Sequence, residues 1–208
     1  GVERADSVAT DGHKWLNVPY DCGVALLRDP ASARAAFASG GAYLTPAAGD
    51  GPAPSALGPE MSRRMRALPV WCALRAAGRE GYREMVERCL DNAAGFAAWV
   101  EATPGLELLA PAPTIIVCFR VAPAGPDAAA TDDLNRRVVA GLQADGRAFV
   151  TGTVWDGKAA IRAAFDNWAT RPADVAILQG AILDVVAESV VGRRKSEDGR
   201  RKSVDGRR

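Results

Sequence analysis

The chain has 208 residues, enough for one large domain or two small ones. Hydrophobic residues make up 48% and charged residues 25%, the balance of an ordinary globular protein rather than a disordered one. A net charge of +1 gives no global field drawing the chain to nucleic acid or a membrane surface, and no apolar run is long enough to span a bilayer.

Residues from Gly1 to about Pro30 read as strand, connection, strand. Val24 to Leu27 is a continuous apolar run, expected for a strand buried on both faces and stopped by Asp29-Pro30. Ala31 to Ala38 suggests a short helix, broken at Ser39-Gly40-Gly41. The stretch from Ala47 to Pro59 is rich in Gly, Pro and Ala; with little to bury, it is expected to be mobile. The arginines of Ser62-Arg63-Arg64-Met65-Arg66 form either a solvated face or a structural ion pair. Pro69 to Ala77 reads as a helix ended by Gly78. In the longer helix that follows, Tyr82, Met85, Val86, Cys89, Ala93, Phe96 and Val100 recur at three- and four-residue steps as a core stripe.

After Thr103-Pro104-Gly105, Leu106 to Leu109 and Thr114 to Val121 read as strands, the second dense in β-branched and aromatic residues. Thr131 is expected to cap a helix whose first turn carries Asp132 and Asp133, whose core face is Leu134, Val138 and Leu142, and which ends near Gly146. Ala148 to Val154 and Ala159 to Phe165 form a hairpin about Asp156-Gly157. Thr170 and Pro172 open a last helix with Val175, Leu178, Ile182 and Val185 on one face.

The tail repeats itself: Gly192-Arg193-Arg194-Lys195-Ser196-Glu197-Asp198 returns as Gly199-Arg200-Arg201-Lys202-Ser203-Val204-Asp205. Almost nothing in it is apolar, so 191–208 is expected to be a disordered basic tail that can bind anions or be phosphorylated. The four cysteines, Cys22, Cys72, Cys89 and Cys118, lack metal-ligand spacing. They read as buried, reduced thiols of a cytoplasmic protein, with no metal site. The opening residues do not read as a signal peptide, in keeping with the expectation of a cytoplasmic protein.

One segment carries chemistry. In Asp11-Gly12-His13-Lys14-Trp15-Leu16 a lysine sits between the only histidine and a tryptophan, on a strand-to-strand connection. An amine partly shielded from water loses proton affinity and adds to an aldehyde near neutral pH. Ala5-Asp6-Ser7, Asp11-x-His13-Lys14-Trp15-Leu16 and Pro19-x-Asp21-Cys22-Gly23 closely resemble the lysine segment of the group II pyridoxal-phosphate decarboxylases, the family of aromatic-amino-acid, histidine and glutamate decarboxylases. Tyr43-Leu44 looks like the pair that the family carries on a flexible catalytic loop, and Ser62 to Leu68 resembles its next segment.

The resemblance implies an α/β chain of the PLP-dependent transferase fold, fold type I. Residues 1–66 would be the end of the large cofactor domain, 67–190 the small C-terminal α/β domain. It implies pyridoxal 5'-phosphate as cofactor, an L-amino acid as substrate and a homodimer as the assembly. Lys14 would be the Schiff-base lysine, His13 would lie near the cofactor phosphate, and Tyr43 would protonate the α-carbon after CO2 leaves, its loop reaching toward the active site of the partner subunit. A phenylalanine in place of Tyr43 would divert the product to an aldehyde. Asp11 is given no phosphate contact, because an acid beside a phosphate is unfavourable. The family's aspartate for the pyridine nitrogen, its ring-stacking histidine and most phosphate-binding groups lie before Gly1. The resemblance thus implies the C-terminal portion of a longer protein, inactive alone. The alternatives are a related aldehyde synthase or transaminase-like enzyme, or a non-catalytic dimerisation module.

Overall fold

The computed structural model describes residues 1–38 and 54–205, with residues 191–205 described by their backbone alone. Ser39-Gly40-Gly41, Tyr43-Leu44 and most of the Gly/Pro/Ala stretch lie outside the described residues. The chain divides into two compact units, Gly1–Tyr82 and Arg83–Arg208, a later division than the expected break after residue 66.

In the first unit, a single turn of 3-10 helix (Val2–Arg4) precedes β1 (Ser7–Asp11), which pairs antiparallel with β2 (Gly23–Leu27), Ser7 opposite Leu27 and Asp11 opposite Gly23. β2 is not the doubly buried strand its apolar run suggests: Leu26 is 61% and Leu27 44% exposed. Such a run is covered only when strands and helices flank it. Among the described residues the ribbon has two strands. Asp29 ends β2 and starts α1 (Pro30–Phe37), its carboxylate accepting from the Ala31 amide at 2.9 Å and from the Ser32 hydroxyl. Proline at the first helical position has no amide hydrogen to leave unpaired. A second 3-10 turn spans Pro54–Leu57.

α2 (Ala67–Ala102) is two helical runs joined at Gly78, whose φ of 63° and ψ of −175° suit only glycine. The boundary Tyr82/Arg83 falls within its second run. In the second unit the four-stranded antiparallel sheet has the order β3 (Leu106–Leu108), β4 (Ile116–Val121), β6 (Lys158–Ala164), β5 (Thr151–Trp155). α3 (Ala128–Asp145) and α4 (Pro172–Asp205) complete it, α3 packing on α4 and on β6. The α2 stripe is core, as its spacing requires: Met85, Cys89, Ala93, Phe96 and Val100 are buried. Phe96 is fully buried, its ring centroid 5.4 Å from each of Trp99, Phe119 and Phe165. Leu134, Val138 and Leu142 of α3 and Val175, Leu178, Ile182 and Val185 of α4 close the core.

Three readings are corrected here. Thr131 does not cap α3. Asp127 does, accepting from the Ala130 amide at 2.7 Å, while Thr131 lies one turn inside with its hydroxyl on the Asp127 carbonyl. Asp132 therefore serves not the helix dipole but buried Arg120, at 3.1 Å. The cysteines are all free, but only Cys22 and Cys89 are buried; Cys118 is half-buried and Cys72 exposed. Finally, α4 continues to Asp205, through the repeat read as unfolded. Once its apolar face is packed, further residues need no new nucleus, and Arg, Lys and Glu are good helix formers. No described helix is long and apolar enough to cross a membrane.

Candidate active site

Lys14 stands in the connection between β1 and β2. Local hydrogen bonding forces the chain to turn there. The Lys14 amide donates to the Asp11 carbonyl at 3.2 Å, and the Asn17 amide to the Lys14 carbonyl at 3.0 Å. Asn17 adopts the left-handed region at φ 50°, which asparagine tolerates, and its side-chain amide caps the Lys14 and Trp15 carbonyls at 3.2 and 3.3 Å.

The rest of the connection folds back against this turn. Gly12 is buried; its amide donates to the Cys22 carbonyl at 2.8 Å and its carbonyl accepts from the Val18 amide at 3.4 Å. A side chain there would meet the Cys22 sulfur at 2.8 Å, so glycine is what lets the two segments close. Asp21, Arg66 and Glu60 form an ion-pair row, with Arg66 3.2 Å from Asp21 and 2.9 Å from Glu60. The Arg66 guanidinium is the main reason that the Asp21 carboxyl is held below the usual carboxylate range. Of the two readings open for these arginines, the ion pair is the one found. Far along the chain, the Tyr82 hydroxyl donates to the Leu16 carbonyl at 2.9 Å. Burial raises its phenol. A cleft of about 770 Å³ lies beside the row, lined by Gly23 and Ala25 of β2 and by residues 57–67.

His13 is half-buried. Its Nδ1 faces both the amide and the carbonyl of Cys22, at 3.2 and 3.0 Å, and its ring packs against Tyr20 with centroids 4.5 Å apart. Nε2 is left as the nitrogen not committed to the backbone.

Lys14 corrects the expectation of a shielded, neutral amine. Its side chain is 62% exposed, and Nζ lies 2.6 Å from Asp11 Oδ2. The hydrogen bond to Asp11 raises the lysine above its ordinary value and lowers the aspartate, so the resting pair is ammonium and carboxylate. Sequence reasoning set Asp11 aside. The i,i+3 spacing of Asp11 and Lys14 was the signal that could have paired them. Nothing local marks Tyr82, read as one member of a core stripe, as a brace for this connection. Tyr43 lies outside the described residues. Among the described residues no cluster of His, Cys, Asp and Glu could hold a metal ion.

Comparison with known proteins gives this loop its context. Residues 1–122 match the model of the pyridoxal-dependent decarboxylase conserved domain, and the chain belongs to that family. Tyrosine decarboxylase 4 of Petroselinum crispum is 31% identical over 180 residues, 82% of this chain and 35% of that protein. Phenylacetaldehyde synthase of Arabidopsis thaliana is 27% identical over 173 residues, 79% of this chain and 34% of that protein. The crystal structure of Oryza sativa TDC with PLP and tryptamine superposes with a TM-score of 0.82 at 26% identity, covering 90% of this chain and 40% of that one. The fold is the α/β fold of these decarboxylases. The chain spans about a third of the length of the curated relatives it matches.

Proposed function

We propose that the whole protein to which this chain belongs is a pyridoxal 5'-phosphate-dependent decarboxylase that converts an L-amino acid, an aromatic one, to its amine and CO2. The observation that carries this reading is a primary amine, Lys14 Nζ, exposed beside Asp11 on a turn fixed by backbone bonds, Gly12 and the Tyr82 hydroxyl. That arrangement fits the attachment of an aldehyde cofactor: the amine is accessible, and the loop that carries it is braced from both sides.

When bound, the cofactor supplies the electron sink that makes loss of CO2 feasible. The chain's own residues do the rest. Lys14 gives up its proton to become the attaching amine. His13, with Nδ1 turned to the Cys22 backbone, keeps Nε2 for the cofactor phosphate. Tyr43, assigned through the family resemblance, delivers its phenolic proton to the substrate α-carbon. The protein works as a homodimer in the cytoplasm, where free thiols such as the exposed Cys72 stay reduced. By the family resemblance, the partner of the cofactor's pyridine nitrogen, the group that stacks on its ring and most of its phosphate contacts lie outside these 208 residues, so the polypeptide by itself is expected to have little or no activity.

The test is borohydride reduction of the whole protein incubated with pyridoxal 5'-phosphate, followed by peptide mapping. A pyridoxyl group on Lys14, lost in Lys14→Ala, supports the reading; one on another lysine, or on none, overturns it. The occurrence of an aldehyde synthase among the relatives favours one second reading, an enzyme that releases aldehyde. Product analysis separates the two. Tyr43→Phe should leave cofactor binding intact, cut amine output and raise aldehyde and peroxide. Unchanged amine output removes Tyr43 from the mechanism.

A further inference from the structure

The Asp11 carboxylate is the last side chain of β1, and it does not serve the turn that follows. The turn's backbone bond runs from the Lys14 amide to the Asp11 carbonyl at 3.2 Å. Among the described residues the carboxylate's partner is Lys14 Nζ, at 2.6 Å. A strand end therefore holds an acid whose role is directed at the one amine that the proposed chemistry needs.

We infer that Asp11 is a positioning residue: it folds the free Lys14 side chain back onto its own turn as an ammonium, so that capture of an aldehyde cofactor requires this pair to open. The inference rests on the cofactor reading above and concerns the step before attachment and the state to which Lys14 returns once released.

The pair's surroundings are simple. Its acid is Asp11; the other titratable groups acting on it are His13, which acts on Asp11, and Tyr20, which acts weakly on Lys14. Both partners are substantially exposed, 62% and 42%, so salt and water weaken their attraction and the pair opens readily. It acts as a bias on Lys14, not as a lock. Capture itself balances without an oxidant or reductant. The ammonium first gives its proton to solvent. The Nζ lone pair then bonds to the aldehyde carbon, and the carbonyl oxygen leaves as water. While Asp11 holds the proton on Nζ, the lone pair is not available. A carboxamide in place of the carboxylate keeps the size of the side chain and removes the charge.

The chain has four lysines, Lys14, Lys158, Lys195 and Lys202, so Lys158 serves as an internal reference. The experiment is reductive alkylation of the full chain by formaldehyde and cyanoborohydride, the rate at each lysine being read by peptide mass mapping as a function of pH. Asp11→Asn should modify Lys14 several-fold faster than the parent between about pH 7 and 9, with its profile moved to lower pH and Lys158 unchanged. Asp11→Glu should restore most of the parent profile, and added salt should speed Lys14 in the parent but not in Asp11→Asn. In parallel, both proteins are treated with pyridoxal 5'-phosphate and borohydride. A pyridoxyl group on Lys14 with identical alkylation profiles in parent and Asp11→Asn overturns the role of Asp11 and leaves the cofactor reading standing. Absence of the group from Lys14 in both overturns the cofactor reading and this inference with it.

Discussion

Arg66 Nη2 lies 3.2 Å from Asp21 Oδ2, and this contact ties the segment before α2 to the far end of the lysine connection. Asp21 precedes Cys22, whose backbone faces His13 Nδ1 and accepts the Gly12 amide. The sulfur of Cys22 also approaches the Arg66 carbonyl, at 3.9 Å. The ion pair thus supports, through one peptide unit, the residues that flank Lys14.

This pair makes the first unit acid-sensitive. The Arg66 guanidinium holds the Asp21 carboxyl below its ordinary value. A carboxyl lowered by folding contributes stability above its unfolded value of about 3.9, and that contribution is lost as pH falls through the lower folded value. Arg66→Met keeps much of the apolar stem and removes the charge. Thermal unfolding is expected to show the variant below the parent at neutral pH, the gap closing as pH drops below about 4. A gap independent of pH would mean that the pair contributes nothing to stability.

Gly12 faces a steric limit rather than an electrostatic one. A methyl group there would sit 2.8 Å from the sulfur of Cys22, which is only 3% exposed. Backbone bonds on both sides fix the glycine, so the overlap cannot be relieved by a small rotation. Gly12→Ala is expected to destabilise by about 1–3 kcal/mol, the range of an overpacked interior. Cys22→Ala removes the obstructing sulfur. The double variant should therefore be more stable than the sum of the single effects, a positive coupling measurable by denaturant titration. Simple additivity would show that the two segments give way elsewhere.

Much of this was legible in advance, for a physical reason. The α2 stripe, the hairpin of β5 and β6 and the closing face of α4 follow from periodicity, which local backbone geometry enforces. Gly78 and Gly146 end their helical runs as expected, with φ of 63° and 78°. What failed depended on partners distant in sequence or missing from any local pattern. Leu26 and Leu27 read as buried because apolar runs usually are, but burial belongs to neighbouring elements, not to the run. Thr131 and Asp127 are both good caps, and only the position of the helix start chooses between them. At the candidate site, an uncommon word in the sequence singled out Lys14 and His13 by its resemblance to the family's lysine segment. The proton state of Lys14 was not legible, because it depends on whether the Asp11 carboxylate turns toward the amine or away.

Asn135 gives the sharpest test of the second unit. It is a polar side chain on α3, 1% exposed. Its Oδ1 accepts from the Val121 amide at 2.8 Å, while Nδ2 donates to the Val121 carbonyl at 2.8 Å and to the Thr131 carbonyl at 2.9 Å. The amide thus acts as a surrogate strand neighbour for the last residue of β4. Asn135→Leu keeps a similar branched shape but takes away the partner of the buried Val121 amide and carbonyl. At about 1–3 kcal/mol for each group, the loss should reach roughly 2–6 kcal/mol. Asn135→Asp separates hydrogen bonding from size. It keeps an acceptor for the Val121 amide but turns a carboxylate oxygen toward two carbonyl oxygens, so burial and repulsion raise the new carboxyl above its unfolded value. The sign is then opposite to that of Asp21: this variant is most stable in acid, where the protonated carboxyl can donate, and loses stability as pH rises from about 4 through the raised value. Unfolding followed by denaturant across that range should show the variant weakening with pH relative to the parent. A constant difference between the two would mean that the side chain at 135 reaches solvent and that the strand end is held by something other than this amide.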